Sequence, residues 1–249
     1  MTRLASLLLA LLLVTIGAPV TAEHRTLFVG NSYSFANNNL LAQGFAALLA
    51  ESIGGEPLAE MVAKGGYTFT GHLEDAEQDG EQLHEFLATQ GATWNVVVLQ
   101  EQSIIPAYHM AIATGWYESL GAAEGLDELA EKVGAETIFL MTWGRREGLA
   151  EDIEFLPDFL TMQELLAGGY EKYAQLTSTA DRPVRIAPVG LAWLTIWNDA
   201  TAAGEDPLDE HGLFWSLYSG DGSHPSVLGS YLASLVVFAT VTGSDPTQT

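Results

Sequence analysis

The sequence predicts an α/β fold, a three-layer α/β/α sandwich with a parallel sheet of about five strands. Short apolar runs recur along the 249 residues, and longer stretches with helical periodicity separate them. This alternation is typical of βαβ units around a parallel sheet. No internal repeat or low-complexity linker interrupts it, so one compact domain with a single core is expected.

Five short apolar runs are the strand candidates, and most are bounded by glycine, proline or polar residues. In chain order they are Thr26–Val29, Leu58–Val62, Asn95–Leu99, Thr137–Met141 and Val184–Pro188. Helices are predicted at about Asn39–Ser52, Glu81–Thr89, Tyr117–Val133, Pro157–Thr179 and Ser226–Val241. In an open parallel sheet, ligands bind beyond the carboxyl ends of the strands, so the functional site is expected just after them.

Two stretches depart from regular patterning and are predicted to border a substrate cleft. Arg145–Phe155 combines two arginines, a glycine and several acidic residues, and is predicted to be an exposed loop near the strand ends. Trp193–Tyr218 is rich in tryptophan and interrupted by Gly204 and Pro207, and is predicted to be a second irregular excursion.

The N-terminus has the pattern of a secretory signal peptide, predicted to be residues 1–22. Arg3 precedes an apolar run that is too short to span a bilayer. Val20 and Ala22 place small residues three and one positions before a cleavage site, so the exported chain would begin near Glu23. We therefore expect export to the periplasm or the cell exterior, without a stable membrane anchor after cleavage. An uncleaved anchor is the alternative.

Composition excludes several classes of partner and chemistry. The chain has 9 basic and 32 acidic side chains, and its formal net charge is −23 at pH 7. A surface this acidic repels phosphate backbones, so nucleic acid is not expected as a partner. The chain has no cysteine, which excludes a disulfide framework, a thiolate metal site, a cysteine nucleophile and a lipid-anchored N-terminus. Covalent catalysis would require a hydroxyl, carboxylate, imidazole or lysine side chain.

The first predicted strand runs into Gly30-Asn31-Ser32-Tyr33-Ser34 and then into a helical pattern. A serine at a strand-to-helix turn exposes its hydroxyl at the sheet edge, where its own N–H and the helix N-terminus favour developing negative charge. Ser32 is therefore a candidate nucleophile. The alternative is that Ser32 or Ser34 only caps the helix.

An aspartate and a histidine lie three residues apart in the turn-rich segment Ser219–Pro225, before the last predicted helix. His224 would take the proton from Ser32, and Asp221 would bond the far ring nitrogen, fixing the tautomer and stabilising the imidazolium. The alternative makes Asp221 a turn former and His224 a satisfied polar residue. In an α/β pattern with a strand-end serine, a Ser-His-Asp triad is the favoured interpretation.

These segments resemble the sequence blocks of the GDSL/SGNH hydrolases, a family of serine esterases. The Gly-Asn-Ser of Gly30–Ser32 resembles the family's Gly-Asp-Ser block, and Asp221-x-x-His224 resembles its last block. The resemblance spans Thr26 to Gly243, and the order of the blocks is its specific part. It implies a flavodoxin-like SGNH hydrolase fold in one domain, residues 23–249, and ester hydrolysis through an acyl-enzyme.

The resemblance also implies an oxyanion hole made by three loops. In the family, a glycine after the second strand and an asparagine after the third supply donors beside the nucleophile's own N–H. Gly66 matches the glycine, with Gly65 as the alternative. Gln102 takes the place of the asparagine by register, and its longer side chain can still donate a hydrogen bond from its amide. The implied oxyanion donors are thus Ser32, Gly66 and Gln102.

Four further residues are candidates for substrate binding. Asn31 stands where the family usually has aspartate, a position outside its catalytic machinery. Glu101 directly follows a strand and would orient Gln102 or contact substrate, or else form a buried hydrogen bond that fixes the loop. Trp143 and Arg145 lie in Thr142–Arg146, a segment that resembles the sequences of a secreted bacterial branch of the family.

Aromatic and charged side chains suggest the substrate class. Tryptophans would stack on a sugar ring, although core packing is their more usual role; these are Trp143, Trp193, Trp197 and Trp215. Arg145 would pair with a carboxylate on an acidic glycan. We expect a small-molecule or glycan ester, with carbohydrate O-deacetylation first and hydrolysis of short-chain lipid or aryl esters second. A ligand-binding protein with weak catalysis is the alternative of another class, because the third block is altered.

Other histidines and carboxylates match no recognised metal-ligand spacing, and no metal or other cofactor is expected. A metal site would need three or four of them to converge. His72 and His84 lie in polar contexts where solvated side chains are expected. The residues considered are His72, Glu74, Asp75, Glu81, His84, Glu85, His109 and His211.

Overall fold

Five parallel strands form the central sheet of the computed structural model, which describes residues 23–110 and 113–246. They are β1 (Arg25–Gly30), β2 (Leu58–Ala63), β3 (Val96–Leu99), β4 (Glu136–Leu140) and β5 (Arg185–Ala187). Their order is β2-β1-β3-β4-β5, and all neighbours pair in parallel. The five predicted strands are confirmed. The predicted signal peptide, residues 1–22, lies outside the described residues.

Helices cover both faces of this sheet. They are α1 (Ser32–Ile53), α2 (Phe69–Glu77), α3 (Gln82–Leu87), a 3₁₀ helix (Ile105–Met110), α4 (Ala113–Lys132), α5 (Phe159–Thr177), α6 (Val189–Ala203), α7 (Leu213–Ser216) and α8 (Val227–Thr242). The predicted helices are confirmed in α1, α3, α4, α5 and α8. None of the helices in the described part of the chain is long and apolar enough to cross a bilayer.

The period-2 alternation of strand side chains divides the core into two layers. Leu27 and Val29 of β1 face a layer that includes α2, α3 and α4. Phe28 faces the opposite layer, which includes α1, α6 and α8. The predicted α/β/α sandwich is confirmed. The strand order is that of a doubly wound sheet, which has its ligand crevice at the carboxyl ends of the strands where the order reverses, here between β1 and β3.

The prediction of irregular structure over Trp193–Tyr218 is wrong for its first part, because Trp193 and Trp197 lie within α6. Tryptophan is a weaker helix former than alanine or leucine, so the local sequence gives a poor helical signal. Trp193 is fully buried, and this tertiary packing stabilises the helix. Gly204, at φ 78°, caps α6, and α7 is the next helix after it.

The loop Arg145–Phe155 is irregular as predicted, but it is not exposed throughout. Arg146 and Leu149 are both buried. Leu149 packs with Leu156 and Met162 in a small apolar cluster next to α5. The cluster attaches the loop to the body of the protein close to the carboxyl end of β4.

Helix α2 is absent from the sequence prediction, because a glycine near its start and its short length obscure the periodicity. The Thr68 side chain caps it, accepting a hydrogen bond from the N–H of Gly71 at 3.2 Å. The helix begins directly after the glycine loop that follows β2, so it fixes the end of that loop beside β1.

Candidate active site

The candidate nucleophile lies at the turn between β1 and α1. Asn31 is the N-cap of the helix, and its Oδ1 accepts a hydrogen bond from the N–H of Tyr33 at 3.1 Å. Ser32 is thus the first helical residue, where backbone N–H groups have no partner within the helix. The first helical turn ends at Ala36, which is extended. Ser32 therefore lies on a tight strand-to-helix turn, as predicted from Gly30–Ser34.

Three consecutive asparagines follow this turn in the left-handed region, with φ between 55° and 60°; they are Asn37, Asn38 and Asn39. Asparagine tolerates this conformation better than most residues. The Asn37 side chain donates to the carbonyl of Pro225 at 3.1 Å and to the Ser230 hydroxyl at 2.8 Å. The break in α1 therefore connects the nucleophile turn to the start of α8.

The aspartate and histidine lie on a compact loop before α8. Tyr218 and Pro225 form a β-bridge at the base of this loop. At its tip, Oδ1 of Asp221 accepts hydrogen bonds from the N–H groups of Ser223 and His224, both at 2.9 Å. The loop backbone thus orients the Asp221 carboxylate and holds His224 three residues away on the same side.

The structure brings Ser32, His224 and Asp221 together. The Ser32 Oγ lies 2.8 Å from Nε2 of His224, and Nδ1 of His224 lies 2.5 Å from Oδ2 of Asp221. With the carboxylate accepting from Nδ1–H, Nε2 is left as the acceptor for the serine proton. Burial opposes ionisation of Asp221, but hydrogen bonds from His224, Ser223 and Ser219 hold its pKa well below its usual range. Asp221 is therefore an anion at neutral pH.

The glycine loop after β2 lies beside this turn. The N–H of Tyr67 bonds the carbonyl of Lys64 at 3.2 Å, and Gly66 inside this turn has φ 69°. The Asn31 side chain donates to the carbonyl of Tyr67 at 2.9 Å. Gly66 thus needs the conformational freedom of glycine, whereas Gly65 has no positive φ. These features favour Gly66 over Gly65 as the family's glycine.

Gln102, the predicted third oxyanion donor, is half-buried in the loop after β3. Its side-chain Oε1 accepts from the N–H of Ile104 at 2.9 Å. This bond fixes which side of the amide faces the loop, so Nε2 is the atom that can donate outwards. Its backbone N–H is held by the Glu101 carboxylate at 2.5 Å.

Glu101 is fully buried and therefore does not contact substrate, which corrects its placement among the substrate-binding candidates. Its carboxylate accepts hydrogen bonds from the N–H of Phe69 at 3.0 Å, the N–H of Gln102 and the Ser119 hydroxyl. Burial raises the pKa of Glu101 to about 7, although these three hydrogen bonds favour its charged form. Glu101 thus connects the start of α2 to the loop of Gln102, the alternative that the sequence left open.

Two other predicted substrate-binding residues are also buried. Asn31 is 2% exposed, and both ends of its side-chain amide bond the backbone, so it supports the turn instead of facing a ligand. Trp143 is fully buried and stacks between Tyr33 and Trp193, at centroid distances of 4.9 and 4.4 Å. Trp143 and Trp193 therefore cannot stack on a sugar. The sequence does not show which of the aromatic residues are buried in the core.

The two arginines after β4 have different environments. Arg145 is half-buried, and its charge partly opposes the rise that burial causes in the pKa of Tyr33. Arg146 is buried, and its guanidinium carbon lies 3.3 Å from the centroid of the Trp215 ring. The backbone N–H of Arg146 donates to the carbonyl of Gly222 at 2.9 Å. Arg145 remains a candidate for substrate contact, whereas Arg146 supports the loop of Asp221 and His224.

Sequence reasoning missed two polar residues that hold the nucleophile turn. Gln100 Oε1 accepts from the N–H of Asn31 at 3.0 Å and from the Ser34 hydroxyl at 2.8 Å. His72 was expected to be solvated, but it is fully buried and its Nε2–H donates to the carbonyl of Gly30 at 2.7 Å. Burial lowers the pKa of His72 to about 4, so the ring is neutral. A polar residue directly after a buried strand was the available signal for Gln100.

The remaining histidines form no metal site within the residues that the structure describes, because no three His, Asp or Glu side chains there converge suitably. His84 is half-buried and bonds the carbonyl of Ala76 through Nδ1 at 2.9 Å. His109 similarly bonds the carbonyl of Pro106 at 3.1 Å.

Comparison with known proteins identifies similar structures. No protein-family model matches the chain, and no curated protein matches it. A candidate SGNH hydrolase from Slackia heliotrinireducens is 27% identical, with a TM-score of 0.65 over 88% of this chain and 98% of its own. A lipase from a goat rumen metagenome is 13% identical, with a TM-score of 0.57 over 87% and 97% of the two chains. A catalytic mutant of an acetylxylan esterase from Geobacillus stearothermophilus is 13% identical, with a TM-score of 0.58 over 90% and 96%.

Proposed function

We propose that this chain, which shares its fold with a candidate SGNH hydrolase, is a member of the SGNH/GDSL hydrolase family and an exported serine esterase that uses Ser32, His224 and Asp221. The observation that supports this most is the pair of contacts around His224, at 2.8 Å to the serine Oγ and 2.5 Å to the aspartate. The three groups have the order and hydrogen-bond reach that a triad needs.

Acylation would begin with attack of the Ser32 Oγ on the ester carbonyl carbon. His224 Nε2 takes the hydroxyl proton as the new C–O bond forms, and Asp221 stabilises the resulting imidazolium. The tetrahedral intermediate then collapses, the bond to the alcohol oxygen breaks, and His224 returns the proton to that oxygen. The products of this half-reaction are the free alcohol and an acyl-enzyme on Ser32.

Deacylation would repeat these steps with water as the nucleophile. His224 takes a proton from water, the hydroxide adds to the acyl carbonyl, and Ser32 leaves as the protonated hydroxyl while the acid is released. In both half-reactions the oxyanion would be held by the N–H groups of Ser32 and Gly66 and by the amide of Gln102. Such donors act in the transition state because they are already oriented.

A carbohydrate acetyl ester is the substrate class that we propose first. The Asp221 and His224 side chains are 50% and 39% exposed, and so open a site admits an ester carried on a large molecule. An acetyl group is small and needs no deep acyl pocket. The fold shared with an acetylxylan esterase is consistent with this choice, and Arg145, half-buried beside the site, would contact an acidic sugar. Short-chain lipid or aryl esters are the second candidate, since a lipase has the same fold.

Export rests on the pattern of residues 1–22, namely a basic residue, a short apolar run and small residues at −3 and −1. Expression of the full chain in a bacterial host, followed by mass spectrometry of the secreted or periplasmic fraction, tests it. We expect an N-terminus near Glu23. Retention of an intact leader in the membrane fraction would contradict export.

Hydrolysis of p-nitrophenyl acetate by the wild type and by Ser32→Ala tests the esterase mechanism. We expect a fall in kcat of about 10⁵–10⁶-fold. Ser52→Ala, a change at an exposed serine in α1, is the matched control and should retain wild-type rates. Equal rates for the wild type and Ser32→Ala would exclude Ser32 as the nucleophile, and no turnover by either would indicate a binding protein.

A second assay compares the release of acetate from acetylated glycans with the cleavage of p-nitrophenyl esters of two to eight acyl carbons. The proposal predicts that the acetylated glycans have the highest kcat/KM and that rates fall as the acyl chain lengthens. A maximum at longer acyl chains would instead support a lipid ester substrate.

A further inference from the structure

Tyr33 occupies a position from which one side chain reaches both the nucleophile turn and the loop of the general base. It directly follows Ser32 and is 4% exposed. Its hydroxyl lies 2.6 Å from the Oγ of Ser223, the residue directly before His224, across 190 positions of the chain. Tyr33 and Ser223, the chain neighbours of Ser32 and His224, are thus hydrogen-bonded to each other.

The loop side of this bond is itself held in place. The carbonyl of Ser223 accepts a hydrogen bond from Nε1 of Trp143 at 3.1 Å. Trp143 lies nearly parallel to the Tyr33 ring, with an interplanar angle of 10°, and nearly parallel to Trp193 on its other side, at 7°. The Ser223 backbone and hydroxyl therefore bond two members of one aromatic stack, which is built from the nucleophile turn, the β4 loop and α6.

The Tyr33 ring also meets the catalytic imidazole directly. Its centroid lies 5.3 Å from that of His224, with an interplanar angle of 68°. An edge-to-face arrangement of this kind restricts the tilt of the imidazole. Burial raises the pKa of Tyr33, and hydrogen bonds with Ser223 and Ser103 only partly oppose it. The phenol therefore stays neutral and does not act as a base, and its hydroxyl is bonded to Ser223 and not to a reacting atom.

We propose that Tyr33 is a positioning residue whose hydroxyl bond to Ser223 sets the distance and angle between the Ser32 hydroxyl and His224. This role rests on the proposed esterase function. Loss of the bond leaves the ring in the stack but releases the loop, so the attacking oxygen and the base meet less often at hydrogen-bonding distance. A misplacement on the order of 1 Å can lower turnover by about 10²-fold.

Two variants remove the bond from opposite sides, Tyr33→Phe and Ser223→Ala. Each should lower kcat for p-nitrophenyl acetate about 10-fold to 10²-fold, with KM nearly unchanged, and should slow phosphonylation of Ser32 by a fluorophosphonate probe to the same extent. The double variant should be no slower than either single variant, because both remove the same interaction.

Tyr218→Phe is the matched control. Tyr218 is 5% exposed, and its hydroxyl donates to the carbonyl of Gly144 at 2.7 Å, so the change removes one buried tyrosine hydrogen bond of similar length. The bridge between Tyr218 and Pro225 is formed by backbone groups and is not altered by the change. It should lower the thermal midpoint about as much as Tyr33→Phe does, while retaining most of kcat. A loss of activity that merely followed thermal stability would appear in both variants.

The outcomes separate the two proposals. If Ser32→Ala is inactive while Tyr33→Phe and Ser223→Ala turn over as fast as Tyr218→Phe, only the role of Tyr33 is overturned. Additive losses in the double variant also overturn it. Should Tyr33→Phe fail to fold, Ser223→Ala carries the same test from the other side of the bond. If Ser32→Ala keeps the wild-type rate, the esterase mechanism is overturned and the role of Tyr33 with it.

Discussion

The Nε2 atom of His224 lies 2.8 Å from the Oγ of Ser32, although 192 positions of the chain separate the two residues. Because helix α8 packs against α1, the loop before α8 lies next to the carboxyl end of β1. Asn37 strengthens this connection by bonding Pro225 and Ser230. The contact between nucleophile and base therefore depends on how the first and last helices pack.

Asp221→Asn should lower kcat about 10⁴-fold. The amide can keep the backbone bonds to Ser223 and His224, but it cannot stabilise an imidazolium as the carboxylate does, and it favours the wrong imidazole tautomer. Steady-state kinetics with p-nitrophenyl acetate measure the loss. Asp152→Asn, at an exposed aspartate of the β4 loop, serves as the control. Less than a tenfold loss for Asp221→Asn would remove the carboxylate from the mechanism.

Gln102→Ala should lower kcat about 10²–10³-fold if its amide is an oxyanion donor. KM should change little, because the charge that the amide stabilises develops only in the transition state. Gln90→Ala, at an exposed glutamine distant in sequence from the predicted blocks, is the control. A rise in KM with unchanged kcat would instead make Gln102 a residue that binds ground-state substrate.

Glu101→Gln should change how folding stability depends on pH. The folded-state pKa of about 7 lies above the ordinary 4.5, so the folded protein binds the proton more tightly. The tighter proton binding adds to the free energy of unfolding, fully below about pH 4.5. This added stability, on the order of 3 kcal/mol, is lost as the pH rises to 7. His72, with its pKa lowered to about 4, changes stability in the opposite sense over an overlapping range.

Urea unfolding at several pH values between 4.5 and 7.5 isolates the Glu101 effect, because other groups cancel in the difference between wild type and variant. The stability of Glu101→Gln relative to wild type should rise over this range. Glu51→Gln, at an exposed glutamate of α1, is the control. A difference between wild type and Glu101→Gln that stays constant with pH would contradict the buried-carboxyl interpretation.

Gly222→Ala should destabilise the protein and lower its kcat, whereas Gly220→Ala should change neither. Gly222 has φ 65°, and an added Cβ would lie 3.3 Å from the guanidinium of Arg146, which Trp215 holds in place. An alanine in the left-handed region costs about 1–2 kcal/mol, and the distortion would reach Asp221. A Cβ on Gly220 meets no atom within 4 Å. Thermal midpoints and kcat for both variants test this, and equal effects would contradict it.

The sheet and the main helices could be predicted from the sequence because their signals are local. The apolar runs of β1 to β5 and the turn at Gly30–Ser34 need no knowledge of distant residues. Helix α6 could not be predicted in this way, since its stability comes from burying Trp193 in a core assembled from the whole chain. Local propensity is overridden by tertiary packing in such segments.

The candidate site likewise contains residues that local sequence signals predict and residues whose roles depend on tertiary packing. Ser32, Asp221 and His224 follow from motif order and the rule about strand ends, and their catalytic roles remain predictions. The sequence predicts substrate contact for Asn31, Glu101 and Trp143, Glu101 because it follows a strand and Trp143 because tryptophan can stack on a sugar, yet burial assigns all three to the supporting structure. Side-chain direction at a strand end depends on neighbours such as Tyr67 and Ser119, which a single sequence does not place.

The most direct test of the central claim is to locate the covalent adduct of a fluorophosphonate probe by peptide mass spectrometry of the folded protein. We expect one phosphonylated residue, Ser32, with loss of esterase activity in proportion to labelling. We also expect no adduct in Ser32→Ala and strongly slowed labelling in His224→Ala. An adduct on a different residue, or full esterase activity after complete labelling of Ser32, would contradict it.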